Sequence, residues 1–139
     1  MAQIVVGIDG SEASQRALEW AAEEARLRGA HLRVVHSWLE VFIDGTFTAP
    51  AVYERDAIEQ GAREVLDKAV ASIPDGSPEL SVEPVLVHGQ PEVVLLHEAE
   101  NADLVVVGSR GRGGFAELIM GSVSHRVVQH APCPVVVIR

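Results

Sequence analysis

The sequence predicts an α/β fold with a doubly wound, mostly parallel sheet and helices on both of its faces. Short, apolar, β-branched runs occur at residues 4–8 and 104–107, and continuous runs of this kind are typical of strands buried on both faces. Segments in which apolar residues recur at helical spacing alternate with such runs. The chain has 139 residues, enough for one domain with a substantial core and too few for two. We therefore expect a single domain over residues 1–139.

The first predicted strand leads into a helix with clear signals at both ends. The strand ends at Asp9, and Ser11 then provides an N-cap with Glu12 in the first helical turn. Alanines recur on one face of this helix until Gly29 ends it. Because alanine side chains are small, this face predicts close packing of the helix on the sheet.

The remaining elements continue the alternation of strands and helices. They are a strand at 32–36, a loop at 39–50, an amphipathic helix from Pro50 to Ile73, a strand at 80–87, a short helix at 93–96, a strand at 104–107, a helix at 123–128 and a strand at 135–138. Pro84 cannot donate to a ladder, so we expect the third strand at an edge of the sheet. Cys133, between two prolines, is expected to be a packing residue and not a nucleophile.

A glycine-rich segment follows the fourth strand. In open α/β sheets the ligand crevice lies outside the carboxyl ends of the strands, so this segment is well placed to bind. Without a Cβ, a glycine lets backbone N–H groups come close to phosphate oxygens. The glycines concerned are Gly108, Gly111, Gly113 and Gly114.

A second anion-binding device follows in the chain. Gly121, Ser122 and Ser124 stand at the start of the predicted helix at 123–128, and helix N-termini attract anions through unpaired N–H groups and the helix dipole. Taken alone, Gly121 and Ser122 fit a C-cap glycine followed by an N-cap serine equally well. Their position after the first glycine cluster favours binding.

These motifs resemble those of a known family. The spacing Gly108-x2-Gly111-x9-Gly121-Ser122 matches the pattern G-x2-G-x9-G-[S/T] of ATP-binding universal stress proteins. The segments IVVGIDGSEAS, VVHSW, VHGQP and HAPCPVVVIR resemble the same family in the same order. The resemblance covers nearly the whole chain.

The resemblance implies a five-stranded sheet of order 3-2-1-4-5, of the adenine nucleotide alpha hydrolase-like type, with a site between the first and fourth strands. It implies ATP together with Mg²⁺ as the ligand. In this family the counterpart of Asp9 lines the nucleoside and the main chain at Ser37 meets the adenine edge. The implied binding residues are Gly7, Ile8, Asp9, Ser37, Gly108, Ser109, Arg110, Gly111, Arg112, Gly121, Ser122, Val123 and Ser124.

Several of these residues have a second interpretation. Asp9 can instead form a cap or an Asx-turn, although this is the less favoured interpretation, and Arg110 and Arg112 can be solvated surface residues as well as phosphate ligands. Trp38 could stack on a base, although covering the sheet end is the commoner role. His36 is expected to be a hydrogen-bonded core histidine and not a catalytic base.

The last predicted strand suggests self-association. Residues 135–138 are apolar and carry no charge, and a bare sheet edge of this kind needs a cover. The family commonly pairs across this element, so we expect a homodimer through the C-terminal strand. Any further protein partner is unknown.

Composition excludes several classes of protein. The net charge of −9 argues against a nucleic-acid surface as the main partner. Apolar runs stay far below the roughly 20 residues that cross a bilayer, so no membrane association is expected. One cysteine allows no internal disulfide, and the N-terminus lacks signal-peptide features. We expect a cytoplasmic location.

Motifs of competing chemistries are missing from the sequence. It contains no P-loop, no Rossmann fingerprint, no adenylyl-transfer signature, no nucleophile elbow and no paired metal-ligating histidines. We therefore expect no catalytic residues and no structural metal site. The expected function is ATP binding in stress response or signalling, through nucleotide-dependent conformation or partner binding. A slow ATPase or phosphotransferase, and a binder of another adenine nucleotide such as cyclic AMP, remain alternatives.

Overall fold

The computed structural model describes residues 2–40, 51–76, 79–110 and 120–139, with the side chains of 51–54 left aside. Strands and helices alternate along these residues. They are β1 (Gln3–Ile8), α1 (Glu12–Arg28), β2 (His31–Trp38), α2 (Ala51–Ala71), β3 (Val82–His88), α3 (Pro91–Ala99), β4 (Leu104–Gly108), α4 (Ser122–His130) and β5 (Val135–Ile138). The predicted loop at 39–50 lies mostly outside the described residues.

The strands form one parallel sheet in the order β3-β2-β1-β4-β5. This confirms the predicted fold class and strand order. Strand β1 pairs with both β2 and β4, so chain connectivity reverses direction between β1 and β4. That reversal is the topological switch point, where such sheets bind ligands.

Two apolar cores lie on opposite faces of the sheet. Helices α1 and α2 cover one face, and α3 and α4 cover the other. The predicted alanine face of α1 is confirmed, since Ala17, Ala21 and Ala25 are fully buried in the first core. Cys133 is half-buried against the second core, and burial raises the pKa of its thiol, which suits a packing residue.

Capping signals in the sequence fix both ends of α1. The Ser11 hydroxyl accepts a hydrogen bond from the N–H of Ser14 at 3.2 Å, as expected of an N-cap. Gly29 has a left-handed conformation with φ 62°, and its N–H bonds to carbonyls of the last turn. Both predicted ends are confirmed.

Helix α3 is longer than predicted. The apolar run covered only 93–96, whereas the helix extends from Pro91 to Ala99. Pro91 lies at the start of the helix, where its fixed φ suits a first turn and its missing N–H costs no bond. The added residues Glu92 and His97 are polar, so a count of apolar residues did not include them.

The two edge strands differ in how they present their backbone. The Leu32 N–H bonds to the Ser81 carbonyl, so in a regular parallel ladder the even residues of β3, including Pro84, direct their backbone groups outward. The predicted edge position of β3 is confirmed, and Pro84 lies where a further strand would need a backbone N–H. At β5, the carbonyls of Pro134 and Ile138 accept hydrogen bonds from Val105 and Ser109. The alternating residues Val135 and Val137 therefore direct their backbone groups away from β4.

Two glycines allow helices to approach the sheet closely. A Cβ on Gly108 would lie 2.8 Å from the carbonyl carbon of Ala13 in α1, and one on Gly7 would lie 2.8 Å from Cδ1 of Leu95 in α3. At Gly108 the opposing atoms include rigid backbone, so they cannot move aside as a side chain can. Packing of α1 is therefore one physical reason for glycine at position 108.

We predict that Gly108→Ala destabilises the fold by about 1–3 kcal/mol, because overpacking forces backbone shifts. Gly61→Ala in α2 is the matched control, since nothing lies within 4 Å of a Cβ there. The control should stabilise by about 0.4–1 kcal/mol. Urea denaturation of both variants measures the difference, and equal stabilities would contradict the packing role of Gly108.

Candidate functional site

The switch point brings together the residues that follow β1 and β4. Strand β1 pairs with β4 through Val6 and Val106, so Asp9 and Ser109 lie after neighbouring strands. Helix α1 begins three residues beyond Asp9 and helix α4 begins at Ser122.

Asp9 organises the turn between β1 and α1. Its Oδ1 accepts a hydrogen bond from the N–H of Ser11 at 2.9 Å, and Gly10 between them has φ 83°. This is the Asx-turn that the sequence left open for Asp9. The hydroxyl of the buried Ser14 accepts from the Asp9 N–H at 3.2 Å and donates to the Ser11 carbonyl at 3.0 Å. The nucleoside contact of Asp9 stays a prediction.

Ser109 connects three parts of the fold through its backbone. Its N–H donates to the Ile138 carbonyl of β5 at 2.7 Å. Its carbonyl accepts from the Gly121 N–H at 2.5 Å and from the Ser124 hydroxyl at 3.1 Å. The end of β4, the end of β5 and the start of α4 therefore meet at the backbone of this one residue.

The amino end of α4 carries backbone donors that have no acceptor within the helix. Gly121 is the N-cap and makes no side-chain cap bond, so the alternative of an N-cap at Ser122 is wrong. The first N–H that bonds back within this helix is that of His125, to Gly121 at 2.9 Å. The N–H groups of Ser122, Val123 and Ser124 precede it and have no acceptor within the helix. Such a helix end favours a bound anion.

The carboxyl end of β2 carries an aromatic cluster beside Ser37. Trp38 is buried and its ring lies 4.5 Å from the ring of His88, with the guanidinium of Arg55 at 5.8 Å. His88 Nε2 lies 2.8 Å from Glu40, and this hydrogen bond holds the pKa of Glu40 below its usual range. Trp38 thus covers the sheet end.

His36 connects β2 to β1. Its Nδ1 lies 2.8 Å from the Ile8 carbonyl, so the ring is hydrogen-bonded to the backbone of the central strand. This agrees with the expectation of a hydrogen-bonded histidine, and it places Ile8 next to the residue that precedes Ser37.

The structure therefore places most of the predicted binding residues on the side of the sheet where the carboxyl ends of its strands lie. Gly7, Ile8, Asp9, Ser37, Gly108, Ser109, Arg110, Gly121, Ser122, Val123 and Ser124 lie at or beyond the carboxyl ends of β1, β2 and β4 or at the start of α4. Arg110 is exposed. Gly111, Gly113, Gly114 and Arg112 lie outside the described residues. The direct ligand contacts of all these residues remain predictions.

Sequence reasoning missed the parts of this region that act through the backbone. No residue pattern indicated that the Ser109 carbonyl would join β4 to α4. Ser14 carried no spacing signal either, although its position three residues after a predicted N-cap serine could have suggested a bond to the turn. Within the described ranges, no group of three or more His, Cys, Asp or Glu residues could hold a metal ion.

A parallel sheet of this order, with helix N-termini at its switch point, defines a doubly wound α/β protein with a ligand crevice at that point. The model of the universal stress protein family matches residues 1–139, and the chain belongs to this family. A universal stress protein of Mycolicibacterium smegmatis is 41% identical over 136 residues, covering 98% of this chain and 45% of the relative. One from Mycobacterium tuberculosis is 38% identical over 138 residues, with 99% and 45% covered. The chain thus spans about half the length of these curated relatives.

Solved structures agree with the fold. A universal stress protein from Lactobacillus plantarum superposes with a TM-score of 0.76 at 23% identity, covering 99% of this chain and 97% of that one. A universal stress protein in complex with cAMP is 28% identical, with a TM-score of 0.66 and coverages of 99% and 96%. One from Archaeoglobus fulgidus in complex with dAMP is 27% identical, with a TM-score of 0.59 and coverages of 100% and 98%.

None of the helices in the described part of the chain is both long and apolar enough to span a bilayer.

Proposed function

We propose that this chain binds an adenine nucleotide, ATP with Mg²⁺, at the carboxyl edge of its sheet. The position of α4 carries the proposal. Gly121 bonds to Ser109, the first residue after β4, so the N–H groups at the start of α4 that have no acceptor within the helix lie beside the switch point. The similar proteins solved with cAMP and dAMP support an adenine nucleotide as the ligand.

Each part of the nucleotide has a candidate partner. The phosphates would bind the main chain of Ser122 and Val123 at the start of α4, together with the glycines after β4. The ribose would lie at Asp9 and the adenine edge at the main chain of Ser37. Because most of these donors are backbone N–H groups, the site can attract phosphate despite the net charge of −9.

The donor set also bears on Mg²⁺. The described residues bring no cluster of three carboxylates or imidazoles together, whereas Mg²⁺ is often bound by one or two carboxylates plus substrate phosphates. The nucleotide phosphates would therefore supply most of the oxygen ligands of Mg²⁺ other than water.

The proposed role is nucleotide binding that alters conformation or partner choice in stress response or signalling, without rapid turnover. Phosphoryl transfer needs a positioned nucleophile and charge stabilisation. Asp9 is the one acidic residue among the proposed ligands, and its Oδ1 already accepts from Ser11. A slow ATPase or phosphotransferase is the enzymatic alternative. The complex of a similar protein with cAMP favours cyclic AMP as an alternative ligand.

The same proposal includes a homodimer through β5. Val135 and Val137 direct their backbone groups away from β4, and the side chains of β5 are only half-buried on both faces. An antiparallel partner strand with its two-fold axis at Val136 would pair Val135 with Val137 of the second copy. Each of these two pairs would exchange two hydrogen bonds. On the opposite edge, Pro84 interrupts such pairing.

For nucleotide binding, we predict that Gly121→Val abolishes ATP binding and weakens adenosine binding far less, because the added side chain blocks the phosphate end. Ser122→Ala should lose about 1.5–3 kcal/mol, or roughly ten- to a hundred-fold in ATP affinity. Asp9→Asn retains an acceptor for Ser11 and should weaken ATP and adenosine alike. Titration calorimetry on folded variants measures all three. ATP binding by Gly121→Val at the parental affinity would place the phosphate site elsewhere.

For turnover, we predict steady-state phosphate release well below the ~1 s⁻¹ at the slow end of ordinary enzymes. The reason is the lack of a water-positioning base among the proposed ligands. A coupled phosphate assay at saturating ATP and Mg²⁺ measures this rate. Release at 1 s⁻¹ or faster that disappears in Asp9→Asn would instead favour the enzymatic alternative.

For assembly, we predict that the protein is dimeric and that Val137→Pro makes it monomeric. The proline removes one outward N–H of β5 and leaves the inward bonds to β4 in place. Val137→Ala trims the same side chain, keeps the N–H and should remain dimeric. Light scattering at micromolar concentration distinguishes the states. A monomeric parent protein, or a dimeric Val137→Pro variant, would disprove pairing through this edge.

A further inference from the structure

Two serines at the start of α4 have different surroundings. Ser122 is exposed, and no acceptor is recorded for its hydroxyl among the described residues. Ser124 is only 2% exposed, and its hydroxyl lies 3.1 Å from the Ser109 carbonyl and 3.0 Å from the Gly121 carbonyl. The single proton of Ser124 is therefore already directed at backbone acceptors within the protein.

The Ser109 carbonyl is the common acceptor of this region. It accepts from the Gly121 N–H at 2.5 Å as well as from Ser124, and both donors belong to the start of α4. Ser109 itself is 6% exposed and is held on its other side by the bond from its N–H to Ile138. The carbonyl is thus a fixed point to which α4 is attached twice.

We propose that Ser124 is a positioning residue whose hydroxyl locks the amino end of α4 to Ser109, and that it acts on the nucleotide through this lock and not through phosphate. The lock consists of Ser109, Gly121 and Ser124. It joins the residue after β4 to the first turn of α4, and so fixes the position of the Ser122 and Val123 N–H groups, which have no acceptor within the helix. This inference rests on the proposed nucleotide site and assigns a different role to one of its serines.

The lock exists without any ligand, so an experiment on the empty protein can distinguish it from a direct bond between the Ser124 hydroxyl and phosphate. A hydroxyl that only binds phosphate has no effect on the empty protein when it is removed. A hydroxyl that holds Gly121 against Ser109 protects the Gly121 N–H from exchange with solvent, because that N–H opens when the helix end detaches. Exchange of the Gly121 amide in nucleotide-free protein therefore reports on the lock alone.

The test compares Ser124→Ala with Ser122→Ala, which makes the same change two residues earlier on the same helix. Amide exchange by NMR is measured without nucleotide, and ATP affinity is measured by calorimetry. In Ser124→Ala we expect the Gly121 amide to exchange about 2- to 12-fold faster, the factor that loss of one neutral hydrogen bond gives. ATP affinity should fall by a similar factor. Ser122→Ala should leave Gly121 exchange unchanged and lower ATP affinity only.

A third variant, Ser124→Thr, keeps the hydroxyl and should restore protection of the Gly121 amide. Unchanged Gly121 exchange in Ser124→Ala, with or without a loss of ATP affinity, would overturn the positioning role. Failure of the parent protein to bind any adenine nucleotide would instead refute the proposed function, and the exchange data would still decide whether the lock exists.

Discussion

The site depends on how closely α1 lies against the end of β4. The backbone of Ala13 occupies the space that a Cβ on Gly108 would need. This approach brings the turn at Asp9, the start of α1 and the end of β4 to the same place. A larger residue at position 108 would separate α1 from the strand and enlarge the crevice between them. Gly108, the first glycine of the spacing motif, thus serves the packing of α1 on the sheet.

Much of the fold could be predicted because its signals are local. The apolar runs gave the strands, Ser11 and Gly29 gave the ends of α1, and Pro84 gave the edge position of β3. The strand order needed more than local signals, and the family resemblance supplied it. Helix α3 was predicted too short because Pro91 and the polar residues beyond the apolar run contribute no hydrophobic signal.

The site was predicted less completely, for a physical reason. Glycines and serines at fixed spacing identify where a phosphate could bind, but the interactions that build the region run between backbone groups. The bond between the Ser109 carbonyl and the Gly121 N–H uses backbone groups that nearly every residue type has, so no pattern in the sequence marks it. Likewise, spacing alone could not distinguish the buried Ser124 from the exposed Ser122.

The unequal edges of the sheet also limit how large an assembly can grow by adding strands. Pro84 occupies an outward position on β3, while β5 presents Val135 and Val137 without such an interruption. If two chains join through their β5 strands, both outer edges of the combined sheet are β3 strands with Pro84. A third chain would then meet a proline at either end. In such an assembly, Pro84 would oppose open-ended, fibre-like polymerisation at both outer edges.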